Sequence, residues 1–288
     1  MIRLKTLLGA AIISAMAFTG ANACSISAWS PTDSVGVVAA DAGEPTAGFK
    51  RYSARCGLQV VGAATAKYVQ DNTPTNATAY KARVYAFTGT TLADTGAAGF
   101  IYLARDGAGA PLIRLALTGG NIQATVTGSA AAIAPIPVVA NRYYSIEIEW
   151  AQGAAAPFVL TVKGAGGNAA SAVTRNTTTN NAAGVLKDVR LGLSAGSTGT
   201  VFFDEYDSRR TTNPGRLCRG DANNSSAAQG AGQNLTSGDA QAVFNEVSGG
   251  GLAVGQPDFN ENGLVASSSD AQGIFNAISL GANACATL

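Results

Sequence analysis

The sequence contains no histidine among its 288 residues. This absence excludes Ser-His-Asp and Cys-His catalysis, histidine zinc ligands and histidine-based pH switching. Charged residues are scarce as well, at 13% of the chain, and the formal net charge is +1. A chain with so little charge would not accumulate on nucleic acid or on an acidic membrane, so neither is expected as a partner.

Long apolar segments are lacking after the N-terminal region. There, two basic residues precede a short apolar run from Leu7 to Phe18, and an A-x-A cleavage site follows at Ala21–Ala23. This pattern predicts a signal peptide over residues 1–23 and an exported bacterial protein, secreted or held at the cell surface. Lipidation of Cys24 stays open as an alternative, and no later segment is expected to insert into a membrane.

Cysteines are few, at four. Export favours disulfides, and four cysteines allow three pairings. The local pairing, Cys24 with Cys56 and Cys218 with Cys285, keeps each bridge within one domain and is therefore preferred. The second bridge would close a long loop and stabilise the segment inside it by roughly 4 kcal/mol.

Apolar residues alternate with polar ones from about residue 48 to residue 210. In "RYYSIEIEW" the residues Ile146, Ile148 and Trp150 share one parity, and Leu191 and Leu193 repeat the pattern in "LKDVRLGLS". Several more short runs rich in β-formers lie between Gly, Asn or Pro clusters, and no helical period competes with them. The region is predicted to be mainly β, an antiparallel jelly-roll sandwich. The polar residues of each strand are expected on the face exposed to solvent. Residues expected on the wet side are Glu147, Glu149, Lys187 and Arg190.

The C-terminal part changes in character. The segments "DAQAVFNEV" (239–247) and "DAQGIFNAI" (270–278) are a repeat, and each carries one apolar stripe at helical spacing. Two short helices are predicted, packed on each other through Val243, Phe244, Ile274 and Phe275. The fold class is therefore mainly β with a small C-terminal α-helical calcium-loop module.

The loop before the second helix, "PDFNENGLVASSSD", places oxygen side chains at every second position and then a glycine. This is the pattern of an EF-type calcium loop, although the closing acid arrives one residue late. A weak Ca²⁺ site is predicted, and the alternative is a polar turn capped by an aspartate. The expected ligands are Asp258, Asn260, Asn262, the carbonyl of Leu264, and Asp270.

The first repeat opens in the same way, but an inserted stretch separates its opening residues from its closing acid. It is expected to bind Ca²⁺ less well than the second repeat. Its candidate ligands are Asp221, Asn223, Ser225 and Asp239.

These two loop–helix repeats resemble a type I dockerin from Cys218 to Cys285, and residues 218–288 are read as a dockerin-like module. The resemblance implies the calcium ligands just named and a cohesin-like or other cell-surface protein as a partner, although the cohesin-binding positions lie in displaced loops. Residues 24–212 are read as a jelly-roll domain. Within them, roughly residues 48–210 resemble the concanavalin-A-like lectin/glucanase jelly rolls, including laminin-G-like domains, through "AKYVQDNTPTNATAYKARVYAF", "YYSIEIEW" and "VFFDEYDS". Residues 213–217 are read as the linker.

The resemblance leaves three functions open. The favoured one is non-catalytic binding of extracellular carbohydrate. In that case the C-terminal module, residues 218–288 and called the tail below, is a docking or stabilising unit. The second is a polysaccharide-active hydrolase, because Glu147 and Glu149 share a strand face, as do Asp204 with Tyr206 and Glu205 with Asp207. The E-x-D-x-x-E strand of laminarinase-type enzymes is absent, so no catalytic residue is assigned. The third is a structural or self-assembling surface protein.

Several aromatic residues allow either stacking on sugar rings or packing inside the sandwich. These are Trp29, Tyr52, Tyr68, Tyr85, Tyr102 and Tyr143.

Overall fold

The structure is a computed structural model. It describes residues 29–33, 37–41, 50–53, 56–164, 172–181, 184–225, 234–264 and 266–285, with only the backbone of 30–33 and 37–41. The signal peptide and Cys24 lie outside these residues, so the cleavage site and the Cys24–Cys56 bridge stay predictions.

Fourteen strands precede two helices in the described parts of the chain. The first seven strands are β1 (Ser30–Asp33), β2 (Val37–Asp41), β3 (Cys56–Val61), β4 (Lys67–Asp71), β5 (Ala79–Thr88), β6 (Tyr102–Asp106) and β7 (Pro111–Thr118). The second seven are β8 (Asn121–Val126), β9 (Ile136–Pro137), β10 (Arg142–Ala151), β11 (Ala156–Lys163), β12 (Ala172–Thr179), β13 (Leu186–Leu193) and β14 (Thr200–Arg209). The helices are α1 (Ser237–Val247) and α2 (Ser268–Ser279).

The strands form two antiparallel sheets that share one core. Sheet one has the order β1-β4-β13-β6-β7-β8-β9, and sheet two has the order β12-β11-β10-β5-β14-β3-β2. Sequence neighbours are often not neighbours in a sheet, because the chain crosses repeatedly between the two layers. The predicted fold class, a mainly β antiparallel sandwich followed by two helices, is confirmed.

The alternating parity of the sequence becomes the two faces of each strand. Ile146, Ile148 and Trp150 of β10 are at most 2% exposed and lie in the core with Leu191 and Leu193 of β13. No helix occurs among the described residues between 48 and 210. Burying apolar area between two sheets is the main stabilising contribution, at roughly 25 cal/mol per Å².

The tail has a second, much smaller core. A disulfide joins Cys218 and Cys285, which is the pairing preferred from the sequence, and both residues are fully buried. Around it lie one large side chain from each helix, Val243 and Ile274, together with Leu235 and small residues. Such a core is too small to hold a separate domain without a crosslink or a supporting neighbour.

One part of the predicted helix packing is wrong. Val243 and Ile274 are buried between the helices, whereas Phe244 is 58% exposed and Phe275 is 56% exposed. Each short helix buries only the narrow strip of side chains that faces the other helix, and the described residues place no third layer over Phe244 or Phe275. Among the described residues, none of the helices has the length and hydropathy that crossing a bilayer requires.

Candidate metal centre

The first oxygen-rich loop folds around its own carboxylates. The amide of Ser225 donates to Asp221 Oδ1 over 2.8 Å and to Asn223 Oδ1 over 2.9 Å. The amide of Asn223 donates to Asp239 Oδ1 over 3.2 Å, so the acid at the start of α1 closes the loop. The inserted stretch 226–233 lies outside the described residues.

The second loop repeats this pattern. The amide of Asn262 donates to Asp258 Oδ1 and to Asn260 Oδ1, each over 3.1 Å. The amide of Asn260 donates to Asp270 Oδ1 over 3.1 Å. Loops of the same construction therefore open both repeats, although the sequence shows an insertion in one and a displaced acid in the other.

The closing acids also cap their helices. Asp270 accepts hydrogen bonds from the Ser267 amide and hydroxyl, and Asp239 accepts the equivalent pair from Thr236. These are capping boxes, with the acid at the third helical position. Asp270 thus reaches the second loop from the first turn of α2, despite arriving one residue late.

Burial of these acids goes beyond what a polar turn needs. Asp221, Asp239, Asp258 and Asp270 are each at most 1% exposed. Burial raises the pKa of Asp258 to about 7, and the charge of Asp270 adds to this shift; burial also raises the pKa of Asp270. Two carboxylates brought together away from water attract a cation, because the Coulomb energy between charges grows as the local dielectric falls.

The donor set fits a hard divalent cation. Each loop offers two carboxylates and further amide or hydroxyl oxygens, which are the ligands that Ca²⁺ takes. The side-chain oxygens of Asp258 and Asn260 meet at the Asn262 amide, and those of Asp221 and Asn223 meet at the Ser225 amide. Asp270 and Asp239 join these groups through the amides of Asn260 and Asn223. The side-chain oxygen of Asn262 faces the Leu264 amide instead. Leu264 donates its amide to Asn262 Oδ1 over 2.8 Å, and its side chain is exposed. No cluster of three or more Asp, Glu, His or Cys that could hold a metal is found among the described residues, so amide oxygens have to complete either site.

The second loop is fixed to the outer face of sheet two, the face whose side chains point away from the core. Glu261, between two of the candidate ligands, forms an ion pair with Arg216 in which both side chains are 3% exposed. Tyr52 donates its hydroxyl to Glu261 over 2.9 Å. The main chain of the loop is held as well, since the Tyr143 amide donates to the Glu261 carbonyl and Arg142 donates to the Asn260 carbonyl.

Gly263 shows why this loop needs glycine. Its φ is +78°, in the left-handed region that other residues avoid. A Cβ atom at Gly263 would overlap the ring of Phe87 on β5. The glycine therefore provides the turn and also allows the loop to approach the sheet.

Residues 50–53 lie between the tail and the sheet. Arg51, 1% exposed, pairs with Glu246 of α1 over 2.6 Å. Gln256 donates to the Ser53 hydroxyl, and the amides of Tyr52 and Ser53 donate to Asp204 of β14. Both repeats of the tail are therefore anchored to the sandwich.

The segment predicted as a linker runs over the same face. Asn213 donates to Glu149 of β10, Arg83 of β5 donates to the Gly215 carbonyl, and the Leu217 amide donates to the Tyr85 hydroxyl. The linker contacts Arg83 and Tyr85 of β5, and the second loop contacts Phe87, the next outward residue of the same strand. These segments of the chain therefore cover the outer face at β5.

The acids of this face are mostly paired. Glu149 accepts from Lys81 over 2.8 Å, and Glu205 lies 3.5 Å from Arg83. Glu147 and Glu149 share the outer face, as predicted, but each is only partly exposed. Burial raises the pKa of Glu147, whereas the hydrogen bond from Lys81 lowers that of Glu149. Of the two acids on β10, Glu149 is therefore paired with a cation.

In "VFFDEYDS", Asp204 and Tyr206 were predicted to share one face of the strand, and this is wrong. The register of β14 shifts between Asp204 and Asp207, and Glu205 has a φ of +51°. This bulge turns Tyr206 toward the interior, where its hydroxyl lies 2.8 Å from that of Tyr80, while Asp204 contacts residues 52–53 on the other side. A bulge adds one residue and so reverses the faces that follow.

Most of the aromatic residues considered for sugar stacking are interior. Tyr52, Tyr85, Tyr102 and Tyr143 are at most 1% exposed. Tyr52 stacks on Tyr85 with ring centroids 3.7 Å apart. Trp29 and Tyr68 are partly exposed, and Arg190 lies over the Tyr68 ring at 4.1 Å.

Sequence reasoning did not find Glu261, Arg216 or Tyr52 as partners. The one sequence signal was Glu261 itself. A charged side chain between two calcium-ligand positions is not needed by the loop, so it indicates a partner elsewhere in the chain.

The comparisons with known proteins give distant structural likenesses. No protein-family model matches the chain, and no curated protein matches its sequence. An endo-β-1,4-glucuronan lyase from the fungus Trichoderma reesei is similar at TM-score 0.47 and 10% identity, covering 64% of this chain and 92% of that one. A cellulose-induced protein is similar at TM-score 0.42 and 11% identity, covering 61% and 87%. The catalytic domain of a GH131 β-glucanase from Podospora anserina is similar at TM-score 0.37 and 8% identity, covering 56% and 74%. These likenesses are too distant to assign an activity or a ligand to this chain.

Proposed function

We propose that the chain is an exported, non-catalytic carbohydrate-binding protein with a tail that binds Ca²⁺ in its two loops. The observation that carries the proposal is the tail itself: two loops of one construction enclose buried pairs of carboxylates, and the second is fixed to the outer face of sheet two. Ca²⁺ would neutralise each pair and complete the loop.

The tail acts in this proposal as a stabilising unit for the sandwich. Its second loop and its first helix are already engaged with Arg216, Tyr52 and Arg51. A surface so engaged is not free for a separate protein. A cohesin-like partner would therefore have to use the exposed helix positions Phe244 and Phe275.

The saccharide is assigned to the part of the outer face that the tail leaves open. Thr161 of β11 and Thr174 of β12 are register partners with hydroxyls 3.1 Å apart, and Asn176 and Thr178 are exposed beside them. Hydroxyl and amide groups exposed on a sheet face can hydrogen-bond to sugar hydroxyls. Catalysis is not proposed, because Glu149 and Glu205 are paired with cations.

The proposal is tested by co-sedimentation of the full chain with a panel of insoluble polysaccharides, with assay of released reducing ends. We expect binding to at least one of them without release of product. Thr161→Ala together with Thr174→Ala should weaken binding about tenfold, since each lost hydrogen bond contributes roughly 0.5–1.5 kcal/mol.

Thr125→Ala is the matched control, because Thr125 is an exposed threonine on β8 of sheet one. It should leave binding unchanged. Release of reducing ends, or equal binding by the double variant and the wild type, would contradict the proposal.

A further inference from the structure

The outer face of sheet one, the side away from the core, carries an arginine in the middle of the sheet. Arg190 of β13 is the register partner of Gln70 of β4 on one side and of Leu103 of β6 on the other. Its neighbours along the strand, Val189 and Leu191, lie in the core, so the side chain of Arg190 points outward, where it is partly exposed. The linker and the second loop of the tail lie against sheet two instead.

Two guanidinium groups meet at one oxygen on this face. Arg190 donates from Nε to Gln70 Oε1 over 2.7 Å, and Arg105 of β6 donates from Nη2 to the same oxygen over 3.1 Å. Gln70 is 8% exposed, and its amide nitrogen donates to Asn72 Oδ1 over 2.7 Å. The shared acceptor is therefore fixed, and the two arginine nitrogens lie no farther apart than the sum of their distances to it.

Of these two arginines, Arg105 has a carboxylate partner. It donates to both carboxylate oxygens of Asp188, over 2.7 Å and 2.9 Å, in the bidentate geometry that arginine favours. Arg190 contacts no carboxylate among the described residues. Burial lowers the pKa of Arg190, the charge of Arg105 lowers it further, and Tyr68 and Asp188 offset these effects only in part. Two guanidinium charges thus face one carboxylate, which leaves one positive charge in excess.

The guanidinium of Arg190 is held in place and still has free donors. Its Cζ lies 4.1 Å from the centroid of the Tyr68 ring, and its Nε is fixed by Gln70. The two terminal nitrogens of Arg190 have no hydrogen-bond partner among the described residues, and neither of them is buried. Such a pair of nitrogens can bind two oxygens of a carboxylate or sulfate group side by side. A ligand can therefore reach this charge without displacing a protein partner.

We infer that Arg190, supported by Arg105 and Gln70, binds an oxyanion, the carboxylate or sulfate group of an acidic saccharide. The oxyanion neutralises the excess charge of the arginine pair and accepts charge-assisted hydrogen bonds, which are the stronger class. The inference rests on the proposed function and adds a second saccharide contact, on the sheet opposite Thr161 and Thr174. It narrows the ligand to polysaccharides that carry uronic acid or sulfate ester groups.

The test is calorimetric titration of the full chain with a tri-galacturonate, with a neutral trisaccharide of glucose, and with sodium sulfate, at constant ionic strength. We expect the acidic trisaccharide to bind at least about tenfold more tightly than the neutral one. Arg190→Gln removes the charge and both terminal donors, so it should cost about tenfold of that affinity. Arg190→Lys keeps the charge without the paired donors and should cost roughly threefold.

Arg114→Gln is the matched control, because it removes the same charge from the same face. Arg114 is a partly exposed arginine on β7, on the far side of Leu103 from Arg190, and its guanidinium donates to the Ala98 carbonyl. The substitution should leave the affinity for the acidic trisaccharide unchanged. An equal loss for Arg114→Gln and Arg190→Gln would overturn the site, because the preference would then follow the total charge of the face.

Failure of this site can be told apart from failure of the proposed function. Equal binding of the acidic and neutral sugars, unaffected by Arg190→Gln, would overturn the oxyanion site while leaving carbohydrate binding intact. Binding of sulfate that depends on Arg190, with no binding of any sugar, would overturn the saccharide as the ligand of the site and contradict the carbohydrate function. Absence of binding by all three ligands would overturn the inference.

Discussion

Glu261→Ala is expected to lower the free energy of unfolding of the full chain by about 3–5 kcal/mol. The substitution leaves the Arg216 guanidinium buried without its counter-charge and removes the acceptor of the Tyr52 hydroxyl. Urea unfolding followed by fluorescence of Trp29 and Trp150 measures the loss. Because both tryptophans precede the tail, the readout reports whether the tail stabilises the sandwich.

Asn224 provides the matched control. It stands at the corresponding position of the first loop and has nearly the same left-handed backbone, with φ +55° against +56° for Glu261. Asn224→Ala places alanine at a left-handed position that asparagine adopts more readily, so it should cost about 1 kcal/mol, and it breaks no ion pair. Equal losses for the two variants would mean that the tail does not stabilise the sandwich through Glu261.

Replacing both cysteines of the tail bridge by alanine should cost about 4 kcal/mol, since the bridge closes a loop of 67 residues. The loss should fall on the tail, where only a few large side chains surround the bridge. We expect the helical circular dichroism signal to melt at a lower temperature than the tryptophan fluorescence signal. A single transition at the wild-type midpoint would show that the contacts with the sheet hold the tail without the bridge.

The strands were predictable because successive side chains of a strand point to opposite faces of the sheet. Alternating apolar and polar residues therefore mark a strand with one buried and one exposed face. In β10 the residues Ile146, Ile148 and Trp150 needed no knowledge of the partner strands. The same rule failed at Glu205, because a bulge depends on how β14 meets β5 and leaves no mark on the apolar pattern. It also could not separate Tyr85, which lies under the linker, from an exposed tyrosine on the same face.

The candidate site was predictable only where its contacts join residues that are close in the sequence. The alternating oxygens of the second loop lie within a few residues of each other, so their convergence could be read from spacing. The contacts of Glu261 with Arg216 and Tyr52 join residues that are 45 and 209 positions apart in the sequence. The residue types alone do not indicate which distant side chains will meet. Phe244 was misplaced for a related reason, since the width of the helix contact is set by tertiary packing.

Calcium binding by the tail is the central claim, and calorimetric titration of the chelator-treated full chain tests it most directly. Both loops should take up Ca²⁺ with dissociation constants near ~10⁻⁴–10⁻³ M, the range of weakly charged extracellular sites. A hundredfold excess over the dissociation constant should stabilise the chain by about 2.7 kcal/mol per site. Asp258→Asn should remove the binding heat of one ion, and Asp221→Asn that of the other. The account predicts two binding events and a raised unfolding midpoint; no binding heat together with equal midpoints in calcium and in chelator would contradict it.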